Sequence, residues 1–264
     1  FWPADCHMVG KDILRQHAVY WPIMLKAMGV EMPKMVFAHG WWKIGGSKMS
    51  KSLGNIVDPV EIVARYGTDA FRYFLMREVT LGLDGTYSED LLNERYTSDL
   101  ANDLGNLWHR TASMIEKYFE GKIPQPGGDV WETRLLKDTL GLWEGVRDHI
   151  LNYDLRESLA GIWAVITAAN QFVEEKKPWA LAKDSAKRGE LADSLYALAE
   201  CVAHIAILLQ AFMPLTAAKV IDRLRIASAG SIRDAAGFRK PLTVPGTGIH
   251  KGDPLFPRLD EKPA

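Results

Sequence analysis

Between Lys43 and Asn55 the chain reads Lys-Ile-Gly-Gly-Ser-Lys-Met-Ser-Lys-Ser-Leu-Gly-Asn, and this is its strongest chemical signal. Lys43, Lys48 and Lys51 bring three ammonium groups within nine residues, with no acid among them. Gly45, Gly46 and Gly54 flank the segment, as a loop that opens and closes requires. Ser47, Ser50 and Ser52 add small hydroxyl donors. Compact positive charge on a glycine-hinged loop suits a polyphosphate, whose oxygens it can neutralise after the ligand has bound. Taken alone, five such residues are as well read as a solvated Lys/Ser surface turn. The loop lies between a strand-like run, Met35 to Ala38, and a helix-like run, Pro59 to Tyr66, which favours the chemical reading.

Two further constellations stand out. The first runs from His7 to His17. Gly10 allows a ligand to approach the backbone closely, and Asp12 offers acceptors to ribose hydroxyls or an ammonium group. Ile13 and His17, one helical turn apart, can line one side of a pocket, and an apolar wall with one imidazole suits an unbranched thioether. The bland reading is an amphipathic helix with a hydrogen-bonded histidine. The second pairs Asn106 with Arg110, four residues on, and Asp103 extends the same stripe. An Asn can read a base edge, and an Arg can stack on a base or grip phosphate. Trp179 follows Lys176-Lys177-Pro178 and offers an indole for base stacking. Against these stand a solvated helix face and a hydrophobic plug after a proline turn.

The elements that must hold these groups fall into three zones. Up to about Thr86, short apolar runs alternate with helical patterns and glycine turns, an α/β texture. From Tyr87 to Leu224 the pattern is helical. Leu100, Leu104, Leu107, Trp108, Thr111, Ile115 and Tyr118 recur at three- and four-residue steps, and Gly121 stands where a helix would stop. Helical stretches are expected over Trp131 to Asn152, Asp154 to Lys176 and Gly189 to Leu224, with breaks at Pro178 and Pro214. The remainder, rich in Pro and Gly, is a tail of turns and extended chain. With 47% hydrophobic and 25% charged residues, the chain has the balance of a soluble globular protein. A net charge of −1 supplies no global basic field, although a local patch can still meet a phosphate backbone. Cys6 and Cys201 suggest neither a disulfide framework nor a metal site, which fits a reducing compartment. The most apolar stretch, Val202 to Met213, is too short to span a bilayer, so no membrane partner is expected.

Lys48-Met49-Ser50-Lys51-Ser52 matches the KMSKS signature of class I aminoacyl-tRNA synthetases letter for letter, and Leu53-Gly54-Asn55 is a typical continuation of that signature. His7-Met8-Val9-Gly10-Lys11-Asp12-Ile13, His17 and Trp21-Pro22 resemble the corresponding block of the methionyl enzymes. Gln16 departs from it, standing where the family usually has an aromatic ring. Asn106-Leu107 with Arg110 two free positions later, and Pro178-Trp179, resemble the elements with which that family recognises the CAU anticodon. Tyr66 to Arg72 and Pro254 to Arg258 are weaker matches, to the segment joining loop and bundle and to the returning tail.

The resemblance implies the second half of a Rossmann-type catalytic domain (1–86), an all-α anticodon-binding bundle (87–225) and a C-terminal tail packing back toward the catalytic domain (226–264). It implies attachment of methionine to tRNA(Met), initiator tRNA included, through methionyl-adenylate, with ATP and Mg2+, in the cytoplasm. Lys48 and Lys51 would be catalytic, Lys51 the main ATP contact and Lys48 its helper. His7, Gly10, Asp12, Met49, Ser50 and Ser52 would complete the ATP site. Asp12, Ile13 and His17 would hold methionine, and Asn106, Arg110 and Trp179 the anticodon. No metal ligand is expected here, zinc belonging if anywhere to an N-terminal portion. The abrupt start at Phe1-Trp2-Pro3 and the lack of a His-Ile-Gly-His signature lead to the expectation that an N-terminal half is missing and that this piece alone is inactive. The alternative is a stand-alone, non-catalytic anticodon-binding module. A different nucleotidyl transferase reusing KMSKS would leave Asn106, Arg110 and Trp179 unexplained.

Overall fold

The computed structural model describes residues 2–48, 56–226 and 238–259, with residues 47 and 48 described by their backbone alone. Met49, Ser50, Lys51 and Ser52 therefore lie outside the described residues, as does the side chain of Lys48.

Strand β1 (His7–Gly10) leads through a short helical turn (Lys11–Ile13), a π-helical turn (Gln16–Tyr20) and α1 (Trp21–Ala27) to β2 (Val36–His39). β1 and β2 pair in parallel, His7 opposite Val36 and Gly10 opposite His39. A second small sheet comes next. β3 (Trp42–Ile44) pairs antiparallel with β4 (Ser47–Lys48), with Lys43 opposite Lys48, through a turn in which Gly45 and Gly46 take positive φ. β3 also pairs in parallel with β5 (Gly85–Thr86).

Between them run α2 (Pro59–Tyr66) and α3 (Thr68–Glu78). The start of α2 is set locally, because Asp58 Oδ1 accepts from Val60 N at 2.8 Å and Pro59 needs no partner at the first position. α3 faces the bundle. Asp69 Oδ2 accepts from Thr216 N at 2.5 Å, and Arg72 donates to the carbonyls of Phe212 and Ala211.

The bundle comprises α4 (Glu89–Arg95), a π-helical stretch (Tyr96–Gly105), α5 (Asn106–Phe119), α6 (Arg134–Leu151), α7 (Leu155–Lys176), the single turn α8 (Pro178–Leu181), α9 (Arg188–Leu209) and α10 (Pro214–Leu224). The apolar stripe read from spacing is the buried face: Leu100, Leu104, Leu107, Trp108, Thr111 and Ile115 are all buried, and Tyr118 packs against them in part. Glu120 and Gly121, both at positive φ, stop α5. The stretch expected from Trp131 starts later, since residues 130–132 form a short 3-10 turn and α6 begins at Arg134. Pro178 and Pro214 stand at the first position of α8 and α10, so each ends one helix by starting another.

α9 corrects the sequence reading of the apolar stretch. The helical segment Ser185–Leu209 is long and apolar enough by composition to cross a membrane, and its apolar run begins well before Val202. It is hydrophobic all round because α5, α6, α7 and α10 surround it. Cys201 sits in it fully buried, and burial pushes its thiol up to about 12.

The tail crosses the bundle and is tied to it by polar groups. Glu200, buried in α9, accepts from Leu242 N, Thr243 N and Thr243 Oγ1 at 2.5–2.9 Å. His204, one turn on, bridges the carbonyl oxygens of Glu200 and Phe238. Trp108 Nε1 donates to Lys251 O and Tyr96 Oη to Pro257 O. One continuous core runs from Tyr66, Tyr73 and Phe74 through the bundle to Leu255 and Phe256.

Candidate nucleotide and anticodon sites

Gly10 and Asp12 lie at the carboxyl ends of β1 and β2, the end at which ligands bind in open α/β sheets, whereas His7 opens β1 at its amino end, opposite Val36, and meets His17 there. Gly10 leaves room at the carboxyl end: a Cβ on it would lie 2.6 Å from Asp12 Oδ1, so the carboxylate folds back over a residue without a side chain. Trp41 Nε1 reaches the same oxygen at 3.4 Å, across from the strand β2. The backbone turn thus presents Asp12 to the space beyond the strand ends.

His7 and His17 meet edge to face, ring centroids 6.1 Å apart. Trp2, absent from the sequence-based set, lies 5.9 Å from His7 and 6.1 Å from Trp21. His17 Nδ1 lies 3.0 Å from the carbonyl of Ile13, which can only accept, so that nitrogen carries the proton. The two residues expected on one side of a pocket are therefore joined, and Ile13 remains exposed beside them. His7 Nδ1 and Trp21 Nε1 are buried and have no hydrogen-bond partner among the described residues. The π-helical turn at Gln16–Tyr20 rotates His17 out of regular helical register; such turns recur at functional positions. Composition gave no hint of it, since no residue type marks a π turn.

Asp84 gathers Lys11 and Lys43. Lys11 Nζ lies 2.5 Å from Oδ1 and Lys43 Nζ 2.8 Å from Oδ2, and Trp41 N donates to Oδ1 at 3.0 Å. These donors, Lys11 foremost, hold the Asp84 carboxyl well below the usual carboxylate range. Of the Lys-rich loop itself, the described part is the β3–β4 hairpin that opens it.

At the other end of the molecule, Asn106 opens α5, at the point where the π-helical stretch Tyr96–Gly105 reverts to α-helix. It is exposed and borders a cleft of about 780 Å3, lined also by Arg65, Asn93, Tyr96, Phe256 and Arg258. Arg110 is half-buried. Its guanidinium lies 5.8 Å from the centroid of the Trp179 ring, and its Nη2 donates to Glu174 at 2.6 Å. Trp179, on α8, keeps 38% of its surface exposed, unlike a buried plug. Arg110 and Trp179, 69 positions apart in sequence, thus form one surface, with Asn106 one turn earlier on the helix that carries Arg110. Glu174 was missed; an acid five residues before Trp179 carries no signal until the fold brings it to Arg110.

The comparisons with known proteins divide the chain in the same order. Residues 1–112 match the family model of class I tRNA synthetases (M), and residues 124–263 match the anticodon binding domain of methionyl tRNA ligase. The methionine–tRNA ligase of Caldanaerobacter subterraneus subsp. tengcongensis is 46% identical over 261 residues, covering 98% of this chain and 41% of that protein. The Bacillus subtilis enzyme is 43% identical, covering 98% and 39%. Among solved structures, Mycobacterium tuberculosis methionyl-tRNA synthetase in complex with methionyl-adenylate superposes with a TM-score of 0.90 at 43% identity, covering 97% of this chain and 50% of that one. Its apo form gives 0.88 at 39% identity. The chain spans about two fifths of the length of the curated relatives it matches. Its overall architecture is thus that of a class I synthetase with its anticodon-binding domain, and the chain belongs to the methionyl-tRNA synthetase family.

Proposed function

We propose that this chain is the C-terminal portion of an enzyme that attaches methionine to tRNA(Met) through methionyl-adenylate, at the expense of ATP. The observation that carries the reading is the meeting of Arg110 and Trp179 on one exposed surface of the anticodon-type bundle, in a chain whose other end presents the Gly10–Asp12 turn beside the hairpin that opens the Lys-rich loop. In this reading residues 1–86 are the second half of a Rossmann-type catalytic domain, 87–225 the anticodon-binding domain and 226–264 a tail.

Lys48 and Lys51, aided by Met49, Ser50 and Ser52, neutralise the triphosphate as the methionine carboxylate attacks the α-phosphate, the α–β phosphoanhydride bond breaks and pyrophosphate leaves. His7, Gly10 and Asp12 border the nucleotide, and the close fold of Asp12 over Gly10 fits an acceptor held ready for ribose hydroxyls or the substrate ammonium. Ile13 and His17 flank the methionine side chain. The cluster of Trp2, Trp21 and two imidazoles suits contact with a polarizable thioether. ATP brings Mg2+ with its phosphates, and the ion supplies charge neutralisation there. Catalysis is then mainly positioning plus electrostatics, with no acid–base pair required. Asn106, Arg110 and Trp179 read the anticodon of tRNA(Met), initiator tRNA included, and the cytoplasm is the place of work.

A further portion of the same enzyme completes the site. Residues 2–35 expose Met8, Ile23, Met24, Met28 and Met32, of which Ile23 keeps 62% of its surface. Exposed apolar side chains of this kind fit contact with a further protein surface, and the first half of the nucleotide-binding domain has the right chemistry to supply it. ATP–pyrophosphate exchange tests the reading. This chain alone is expected to show none, and the protein carrying the N-terminal half to show methionine-dependent exchange that Lys51→Ala suppresses. Exchange dependent on another amino acid, or undiminished in Lys51→Ala, would overturn it.

A further inference from the structure

We propose that Asp84 is a positioning residue for adenylate formation: it ties Lys43, in the β3–β4 hairpin that opens the Lys-rich loop, to Lys11 in the Gly-Lys-Asp turn after β1, so that the two phosphate-side elements are held in fixed register before nucleotide arrives. The proposal rests on the functional reading above and assigns a role to three residues that reading leaves without one.

Three donors from two separate segments converge on one carboxylate. Lys11 comes from the turn after β1, Trp41 N from the link between β2 and β3, and Lys43 from β3 itself. Lys11 is held from its other side as well, its Nζ lying 4.1 Å from the centroid of the Trp41 ring. The turn that carries Asp84 is built for this approach. A Cβ on Gly40 would lie 2.0 Å from Leu83 O, so the two backbones can touch only there, and Gly82 takes positive φ to bring the turn round. Gly85 N then donates to Trp41 O at 2.8 Å and continues into the β3–β5 pairing.

An exposed ion pair contributes little to stability. All three side chains here remain partly exposed, between 23% and 36%, so the value of the cluster lies in geometry. Two ammonium groups on one carboxylate leave one positive charge in excess at the mouth of the nucleotide site, which does not repel a triphosphate. Asp84 stays ionised throughout the working pH range, because its carboxyl is held below its ordinary value. Lys43 is thereby fixed while the Gly45–Gly46 turn beyond it, where a Cβ would meet nothing among the described residues, is left to bend. Small displacements of groups that meet a transition state are costly in rate, which is what such an anchor prevents.

The test uses the full-length enzyme and Asp84→Asn, which keeps the shape and an acceptor for Trp41 N but drops the charge. Methionine-dependent exchange should fall at least tenfold in kcat/KM for ATP, with KM for methionine and anticodon stem-loop affinity within twofold of wild type. Asp84→Glu should restore part of the loss. Lys43→Met should fall similarly, and the double variant should be no worse than the weaker single, as for two halves of one interaction. Exchange within twofold of wild type in Asp84→Asn, multiplicative losses in the double variant, or a parallel loss of stem-loop binding would overturn the proposal. Amide hydrogen exchange on the present chain separates it from the wider reading. Loss of protection at Lys43 in Asp84→Asn, with Trp41 N keeping its acceptor, supports the anchor even if the wild-type enzyme shows no methionine-dependent exchange, and unchanged protection at Lys43 overturns it.

Discussion

In the bundle, Leu107, Leu136, Leu159, Leu195 and Leu198 have no exposed surface, and Trp108 has almost none. Between residues 2 and 48, Val9 and Leu25 are the buried hydrophobics among the described residues, while methionines and Ile23 face outward. The two regions are held together differently. The bundle closes on its own apolar stripes and is anchored at its rim by Glu200, Tyr96 and Trp108. The front is held by strand pairing, glycine close approaches and the Asp84 cluster. A region that reads RNA from a surface needs only a rigid scaffold beneath it. A region that encloses a small substrate needs walls, and a wall with one face bare belongs to a larger enclosure.

The comparison can be broken most directly by truncating apolar side chains on the two sides. Leu195→Ala, in the centre of α9, should cost about 2–5 kcal/mol in thermal or denaturant unfolding. Ile23→Ser on the bare face should change the stability of this chain by no more than about 0.5 kcal/mol. Similar losses at both positions would mean that the front closes on itself as the bundle does. A smaller effect sharpens the account of the rim. Glu200→Ala leaves the amides of Leu242 and Thr243 without their buried acceptor and should cost about 1–3 kcal/mol. Amide exchange should show protection lost at those two residues and retained in α9; a tail that stays protected would mean that packing alone holds it.

Legibility in the sequence divides along the same line. Helix faces were legible because Leu100 to Ile115 repeat at helical spacing, and Pro178 and Pro214 mark where helices must begin anew. Candidates for the site were legible where a contiguous motif carries them, as in Gly10-Lys11-Asp12 and Pro178-Trp179, their roles being part of the proposal. Convergence of distant segments was not. Asp84 meets Lys11 across 73 positions and Glu174 meets Arg110 across 64, with no periodicity to betray either pair. Nothing in the sequence around Glu200 and His204 announces the tail backbone they receive; only the fold shows it. The apolar run within α9 was placed too late, at Val202, because a helix surrounded by others has no polar face to mark its limits.

The central claim is that the bundle reads an anticodon through Arg110 and Trp179 while the front awaits the rest of its enclosure. It is tested most directly by binding of a CAU anticodon stem-loop to this chain, monitored by tryptophan fluorescence. The account predicts binding that is selective over a stem-loop with an altered anticodon and weakened by about 1–3 kcal/mol in Trp179→Ala, the scale of one base–indole stack, with no change in unfolding temperature. Equal affinity for both stem-loops, or an unchanged affinity in Trp179→Ala, would contradict it.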